Sequence, residues 1–132
     1  MEIDEKSKSL VGSWSAAITM MGVTFPGLFA FTRDGIVLQS DPPSSAELMS
    51  PGYGNWVPTG LSDAAFTFLY FSESVENKLA SKSKVKGVIH YDANKDSWEA
   101  TFKIDTLAPD GSLVTTDPGK IIGTRIAVER MD

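Results

Sequence analysis

Apolar and polar residues alternate along this chain in short segments. Runs of roughly five to ten residues rich in Val, Ile, Phe, Tyr, Trp and Thr recur between Gly, Pro, Asp and Asn, and such runs are typical of strands. None keeps a 3.6-residue period long enough to predict a body helix. The predicted strands are Ser13 to Met20, Gly27 to Thr32, Ile36 to Ser40, Asn55 to Pro58, Ala65 to Ser72, Lys84 to Tyr91, Ser97 to Thr106, Leu113 to Thr116 and Lys120 to Arg130.

The turn residues between these runs predict antiparallel hairpins. Arg33-Asp34-Gly35 and Pro109-Asp110-Gly111 each place a glycine, which accepts a positive φ, between two extended runs. The opening segment, Glu5 to Leu10, predicts a short helix or turn. Because no linker or internal repeat interrupts the meander, we expect a single domain over residues 1–132.

A many-stranded antiparallel meander leaves two sheet edges exposed unless it closes on itself. Closure predicts an all-β, up-and-down antiparallel barrel of about eight or nine strands. The interior of such a barrel is either filled by side chains or just wide enough for one small ligand. An open two-sheet sandwich is the alternative fold.

The strand from Ala65 to Ser72 is apolar on both faces, whereas Ser97 to Thr106 alternates cleanly between apolar and polar residues. One face of the first strand lines the interior, and the pattern leaves open which one. The other face needs cover from a second strand layer or a second subunit, so we expect a homodimer. The residues on one face of this strand are Phe66, Phe68 and Tyr70, and those on the other face are Thr67, Leu69 and Phe71.

One predicted connection, from Asp41 to Gly54, is longer than the usual hairpin loop and carries apolar residues as well as prolines. It is either a lid over one end of the barrel or a passive Ω-loop packed on its surface. Asp41, Glu47 and Tyr53 in this segment are candidate polar groups at a cavity mouth.

The composition of the chain excludes some classes of binding partner. The chain has 132 residues and a formal charge of −5, and its densest lysine cluster, Lys82, Lys84 and Lys86, lies beside acidic residues. A basic stripe for nucleic acid is therefore missing from the sequence. No apolar run approaches the length of a membrane span, about 18 residues or more, and no leader is recognisable, so we expect a cytoplasmic protein without a membrane partner. Without cysteine, stability depends on packing and hydrogen bonds.

The segment Leu10-Val11-Gly12-Ser13-Trp14 opens the first predicted strand and resembles the Gly-x-Trp start of the lipocalins and their calycin relatives. The resemblance implies that Trp14 packs across the closed end of the barrel against a basic residue of the last strand, which Arg125 supplies. The chain departs from typical lipocalins because it lacks their disulfide, their secretory leader and a long helix after the barrel. An ordinary strand start with a core aromatic residue is the alternative interpretation of Gly12 and Trp14.

Two sequence features could bind a metal or act in acid–base chemistry, but each fits a structural role better. His90, the only histidine, is either a general base oriented by a carboxylate or a strand residue without a chemical role, and the second interpretation is favoured. Asp92 to Asp96 imitates the first half of a calcium loop, but Ser97 and Lys103 stand at two positions that such a loop gives to glycine and glutamate. A hairpin turn is the better prediction, and the sequence predicts neither a metal nor another cofactor.

The apolar inventory predicts a protein that encloses a small, largely apolar organic molecule, as lipocalins do. The alternative function is a cofactor-independent cyclase or isomerase that acts on an apolar intermediate such as a polyene or polyketide, through a carboxylate, a tyrosine and aromatic walls. The sequence leaves catalytic residues unassigned. The candidate ligand-binding residues are Trp14, Met20, Phe29, Phe31, Met49, Tyr53, Trp56, Phe68, Tyr70, Phe71, His90, Trp98 and Phe102.

Overall fold

The computed structural model describes residues 10–42, 47–74 and 80–131. Nine strands run through these segments, which confirms the prediction of an all-β chain. The predicted helix or turn at 5–10 lies outside the described residues except for Leu10. The strands are β1 Gly12–Met20, β2 Val23–Phe31, β3 Ile36–Ser40, β4 Glu47–Met49, β5 Gly52–Pro58, β6 Asp63–Ser74, β7 Ala80–Asp92, β8 Ser97–Leu107 and β9 Leu113–Arg125.

Eight of the strands form a closed antiparallel ring. Each of β1, β2, β3, β5, β6, β7, β8 and β9 pairs with its neighbour in that order, and β9 returns to pair with β1 from Trp14↔Arg125 to Thr19↔Lys120. The short β4 is an extra strand outside this ring and pairs with the far end of β6. The predicted up-and-down barrel is therefore confirmed, and the open sandwich is wrong because no free sheet edge remains in the ring.

Several strands are longer than the sequence predicted, and two of them run through a proline. β2 begins at Val23 and runs through Pro26, and β9 is continuous through Pro118, where the sequence indicated a break. Each proline lacks a backbone donor and pairs with a neighbouring strand on one side only, Pro26 with β1 and Pro118 with β8, and that pairing keeps the segment in register. At the other end of β9 the prediction was too long, because the strand ends at Arg125 and not at Arg130.

The interval from Asp41 to Gly54 is not one long connection. It contains β4 and the first residues of β5, which both pair with β6, in registers that differ by one residue. At the offset, Ser50 donates its backbone N–H to the carbonyl oxygen of Phe71 at 2.8 Å, and its hydroxyl accepts the Phe71 N–H at 2.8 Å. Pro51, which has no N–H to donate, occupies the extra position, as expected at a β-bulge. Residues 43–46 lie outside the described part.

Alternate residues of each strand face the barrel interior. On β6 the structure turns Phe66, Phe68 and Tyr70 inward, which settles the face that the sequence left open. Leu69 and Phe71 face outward and are 39% and 57% exposed. Within the described residues no second strand layer covers them, so the expectation of a homodimer stays a prediction.

Trp14 and Arg125 meet at one end of the barrel, as the calycin resemblance implied. The guanidinium carbon of Arg125 lies 4.2 Å from the centroid of the Trp14 ring, and Nη1 donates to the carbonyl oxygen of Val11 at 3.0 Å. Gly12 makes the approach possible, because a Cβ there would stand 2.6 Å from Nη1 of Arg125. Its φ of 136° also disfavours any other residue. The barrel and this contact are consistent with a calycin-like fold.

Candidate functional site

Aromatic rings fill the half of the barrel next to Trp14. The ring of Trp98 lies 6.1 Å from Trp14 and 5.8 Å from Phe31, between centroids. Trp56 packs edge-on against Phe31 at 5.7 Å and donates its Nε1 hydrogen to the carbonyl oxygen of Thr32 at 2.9 Å. Since Trp14 and Trp98 are fully buried, this end of the barrel is a packed aromatic core.

The opposite half encloses a cavity of about 280 Å³. Phe29 separates the two halves, because its ring contacts Trp98 at 5.3 Å and also lines the cavity. The volume is close to the lower end of the range for small-molecule pockets, about 300 Å³ and upward. The apolar lining residues are Ile18, Met20, Phe25, Phe29, Pro42, Met49, Phe68, Val85, Phe102, Ile104 and Ile121, and the polar ones are Gln39, Asp41 and Tyr70.

Gln39 and Asp41 form a polar pair on this wall. Gln39 is the inward residue near the end of β3, and Asp41, two residues on, keeps the same inward parity. Nε2 of Gln39 donates to Oδ1 of Asp41 at 2.5 Å. Gly27 on the adjacent β2 leaves the space for this pair, since a Cβ at position 27 would stand 3.3 Å from both atoms.

The apolar surroundings change the acidity of Asp41. Burial raises the pKa of its carboxyl group above the ordinary 3.8, because charge is disfavoured where water is scarce. The hydrogen bond from Gln39 opposes that shift by stabilising the ionised form. Among the described residues Gln39 is the one hydrogen-bond donor to this carboxyl, so the second oxygen of Asp41 has no hydrogen-bond partner in that part of the chain.

The structure divides the sequence-predicted ligand residues among three places. Six of them line the cavity, four pack in the aromatic core at the other end, and three lie on the outer surface. The residues that line the cavity are Met20, Phe29, Met49, Phe68, Tyr70 and Phe102. Those in the aromatic core are Trp14, Phe31, Trp56 and Trp98. Those on the outer surface are Tyr53, Phe71 and His90.

Sequence reasoning named Asp41 as a mouth residue but did not find Gln39. The alternation of residues along β3 could have identified Gln39, because Val37, Gln39 and Asp41 occupy every second position and so share one face of the strand and its extension. A lone glutamine in an apolar strand is normally assigned to the outer face, and only the 4% exposure of Gln39 shows otherwise. The side chain of Glu47, the other acidic candidate of this segment, lies outside the described residues.

The remaining polar candidates lie away from the cavity. His90 Nδ1 and Asp63 Oδ1 are 2.9 Å apart on the outer face, where the two side chains are 69% and 57% exposed. Asp92 accepts the backbone N–H groups of Asn94 and Lys95 at 3.0 and 3.4 Å, which confirms the predicted hairpin turn. In the described part of the chain no group of three or more His, Cys, Asp and Glu side chains is arranged to hold a metal ion.

Two larger concavities, of about 830 and 840 Å³, lie on the outside of the sheet. They are open to solvent and are lined mostly by outward-facing side chains of β1 and β6 to β9, such as Thr19, Val88, Thr101 and Lys120. The first has three lysines in its wall and the second has the pair His90 and Asp63. Only the smaller cavity is lined mainly by inward-facing side chains of the barrel, so it is the candidate site.

No family model matches this chain, and no curated protein is significantly similar to it. Within residues 10–42, 47–74 and 80–131, no helix is both long enough and apolar enough to cross a membrane. The candidate site therefore stands on the geometry of the barrel alone.

Proposed function

We propose that this barrel encloses one small, largely apolar organic molecule in the cavity opposite Trp14, as a lipocalin-like binding protein. The cavity itself carries the proposal, because it is about 280 Å³ in volume and the described residues of its wall are apolar except for three side chains. Binding sites for small molecules combine such walls with a few placed polar groups. A core without function is expected to be packed to high density, as the Trp14 end is.

Filling the cavity tests the proposal. Val85 faces the cavity and Val88, on the same strand, faces solvent at 59% exposure. Naphthalene, used as a neutral apolar probe, should bind the wild-type protein saturably with one molecule per chain in calorimetry. Val85→Phe should abolish that binding, whereas the matched control Val88→Phe should retain it.

Two further results complete this test. Should Val85→Phe fail to fold by circular dichroism, Ile104→Phe fills the cavity from a half-buried wall position instead. Native mass spectrometry of freshly purified protein should in addition show a retained small molecule. Naphthalene binding that is unchanged in a folded cavity-filling variant contradicts the proposal.

A second function, a cofactor-independent isomerase or cyclase on an apolar intermediate, is favoured by one observation. Asp41 has a pKa raised by burial and lines the same cavity as Tyr70. A carboxyl group whose pKa lies above its ordinary value can exchange a proton with a bound substrate more readily than an unperturbed one. In an isomerisation, Asp41 would protonate one carbon of a double bond and recover a proton from a neighbouring carbon, so that no other reactant is consumed.

Solvent isotope exchange separates the two functions. Protein that retains its own ligand is incubated in D₂O, and the ligand is extracted and weighed by mass spectrometry. An isomerase places deuterium on carbon, and Asp41→Asn prevents this while the ligand stays bound. A ligand that gains no carbon-bound deuterium over many hours rules out reversible proton transfer by Asp41 and leaves the binding function.

A further inference from the structure

In the described part of the chain, the polar groups of the cavity wall include open hydrogen-bond acceptors and no cation. Gln39 uses Nε2 to reach Asp41, and its Oε1 has no hydrogen-bond partner among the described residues. Among the described residues, the carboxyl group of Asp41 accepts a hydrogen bond from Gln39 alone. Among the described residues, no lysine, arginine or histidine lines the cavity, and Tyr70 is the one other titratable group there. Within that part of the chain, the wall therefore presents a carboxylate without a neutralising partner.

We propose that the ligand is a compact apolar molecule with one protonated amine, and that the Asp41 carboxylate, positioned by Gln39, binds that amine at the cavity mouth. This inference rests on the proposed binding function and names its ligand class. An ammonium group supplies three donors, which suits the open acceptors of Asp41 and the carbonyl oxygen of Gln39. The apolar body of the ligand then lies against Phe29, Phe68 and the aliphatic wall.

The charge of the site also predicts which ligands are rejected. A ligand carboxylate would face Asp41 in surroundings of low dielectric, where like charges repel strongly. A neutral alcohol donates a single hydrogen bond without charge compensation. Amine, alcohol and carboxylate versions of one ring system should therefore bind in that order of affinity. Desolvation raises the pKa of Asp41 in the unliganded protein, and an ammonium partner should lower it again by stabilising the ionised form.

Three probes with one ring test this order, namely 2-naphthylmethylamine, 2-naphthylmethanol and 2-naphthoate, with naphthalene as the reference. In calorimetry at pH 7 the amine should bind about tenfold or more tightly than the alcohol, as expected for a charge-assisted hydrogen bond. The carboxylate should bind more weakly than naphthalene. Asp41→Asn should remove the preference for the amine and change the affinity for the alcohol less than about threefold, because asparagine keeps the shape and an acceptor oxygen.

A charge-matched control separates local recognition from the overall charge of the protein. Glu99→Gln removes one carboxylate from the exposed outer face and should leave the order of the probes unchanged. Equal binding of amine and alcohol, or an amine preference that survives Asp41→Asn, overturns the inference while naphthalene binding upholds the proposed function. If neither naphthalene nor any of the three probes binds, both the function and the ligand class are wrong.

Discussion

Asp96 and Arg125 are held together across the β8–β9 end of the barrel, with Nε of Arg125 donating to Oδ2 of Asp96 at 2.7 Å. The second oxygen of Asp96 accepts the hydroxyl hydrogen of Tyr91 at 2.7 Å. These bonds orient the guanidinium over Trp14, so the closed end depends on a residue in a hairpin turn. Asp96 has a φ of 48°, which aspartate tolerates better than most residues.

The first prediction follows from the charge of that contact. The hydrogen bond from Arg125 holds the pKa of Asp96 below the ordinary 3.8. A lowered pKa in the folded protein stabilises the fold at every pH above 3.8, and that stabilisation is lost as the pH falls through 3.8 toward the folded value. Asp96→Asn should therefore lower the unfolding midpoint at pH 7, and the difference from the wild type should shrink below pH 4. A difference that is the same at pH 3 and pH 7 would show that the ion pair does not contribute.

The second prediction concerns Trp14, which is fully buried and donates its Nε1 hydrogen to the carbonyl oxygen of Leu10 at 3.0 Å. Trp14→Ala should lower the free energy of unfolding by about 3–5 kcal/mol, because it leaves a cavity and removes large apolar contacts. Urea denaturation measures the loss. The control is Ser15→Ala, an exposed neighbour on β1. A loss below about 1 kcal/mol for Trp14→Ala would show that the residue is not a core anchor.

The third prediction tests a recurring contact in which an inward aromatic ring lies over a glycine of the next strand. Trp98 covers Gly123 in this way, and a Cβ at position 123 would stand 2.2 Å from the indole ring. Gly123→Ala should destabilise the protein by about 1–3 kcal/mol, the usual cost of overpacking a core. Thr124→Ala on the exposed face is the control. Equal denaturation midpoints for the two variants would contradict the packing argument.

The fourth prediction treats Asp41 as a group that costs stability. A folded-state pKa above 3.8 means that the folded protein loses stability as the pH rises through 3.8 to the raised value. Asp41→Asn should then melt at a higher temperature than the wild type at pH 7 and at the same temperature at pH 3. Differential scanning calorimetry at the two values measures this. A variant that is less stable than the wild type at pH 7 would show that the carboxylate stabilises the fold instead.

Local pattern was enough to predict most of the fold. The alternation of Trp98, Ala100 and Phe102 with polar residues identified β8 and its inward face, and the resemblance of the Gly12-Ser13-Trp14 segment to calycins implied the contact of Trp14 with Arg125. Where prolines interrupt the apolar pattern, at Pro26 and Pro118, the prediction broke strands that the barrel keeps whole. Each proline lies where its strand pairs with one neighbour only, a position that tolerates proline, and a local pattern does not contain that information.

The site depended much more on tertiary structure. The sequence by itself determined that the interior is aromatic. It also determined that Asp41 follows β3 at a spacing that places it on the same face as the inward residues of that strand. Only the closed barrel decided that Trp14, Phe31, Trp56 and Trp98 fill one half while the other half stays open. The height of a residue along the barrel axis follows from register and tilt across all eight strands. Alternation along one strand reports which face a side chain takes and not which end of the barrel it reaches.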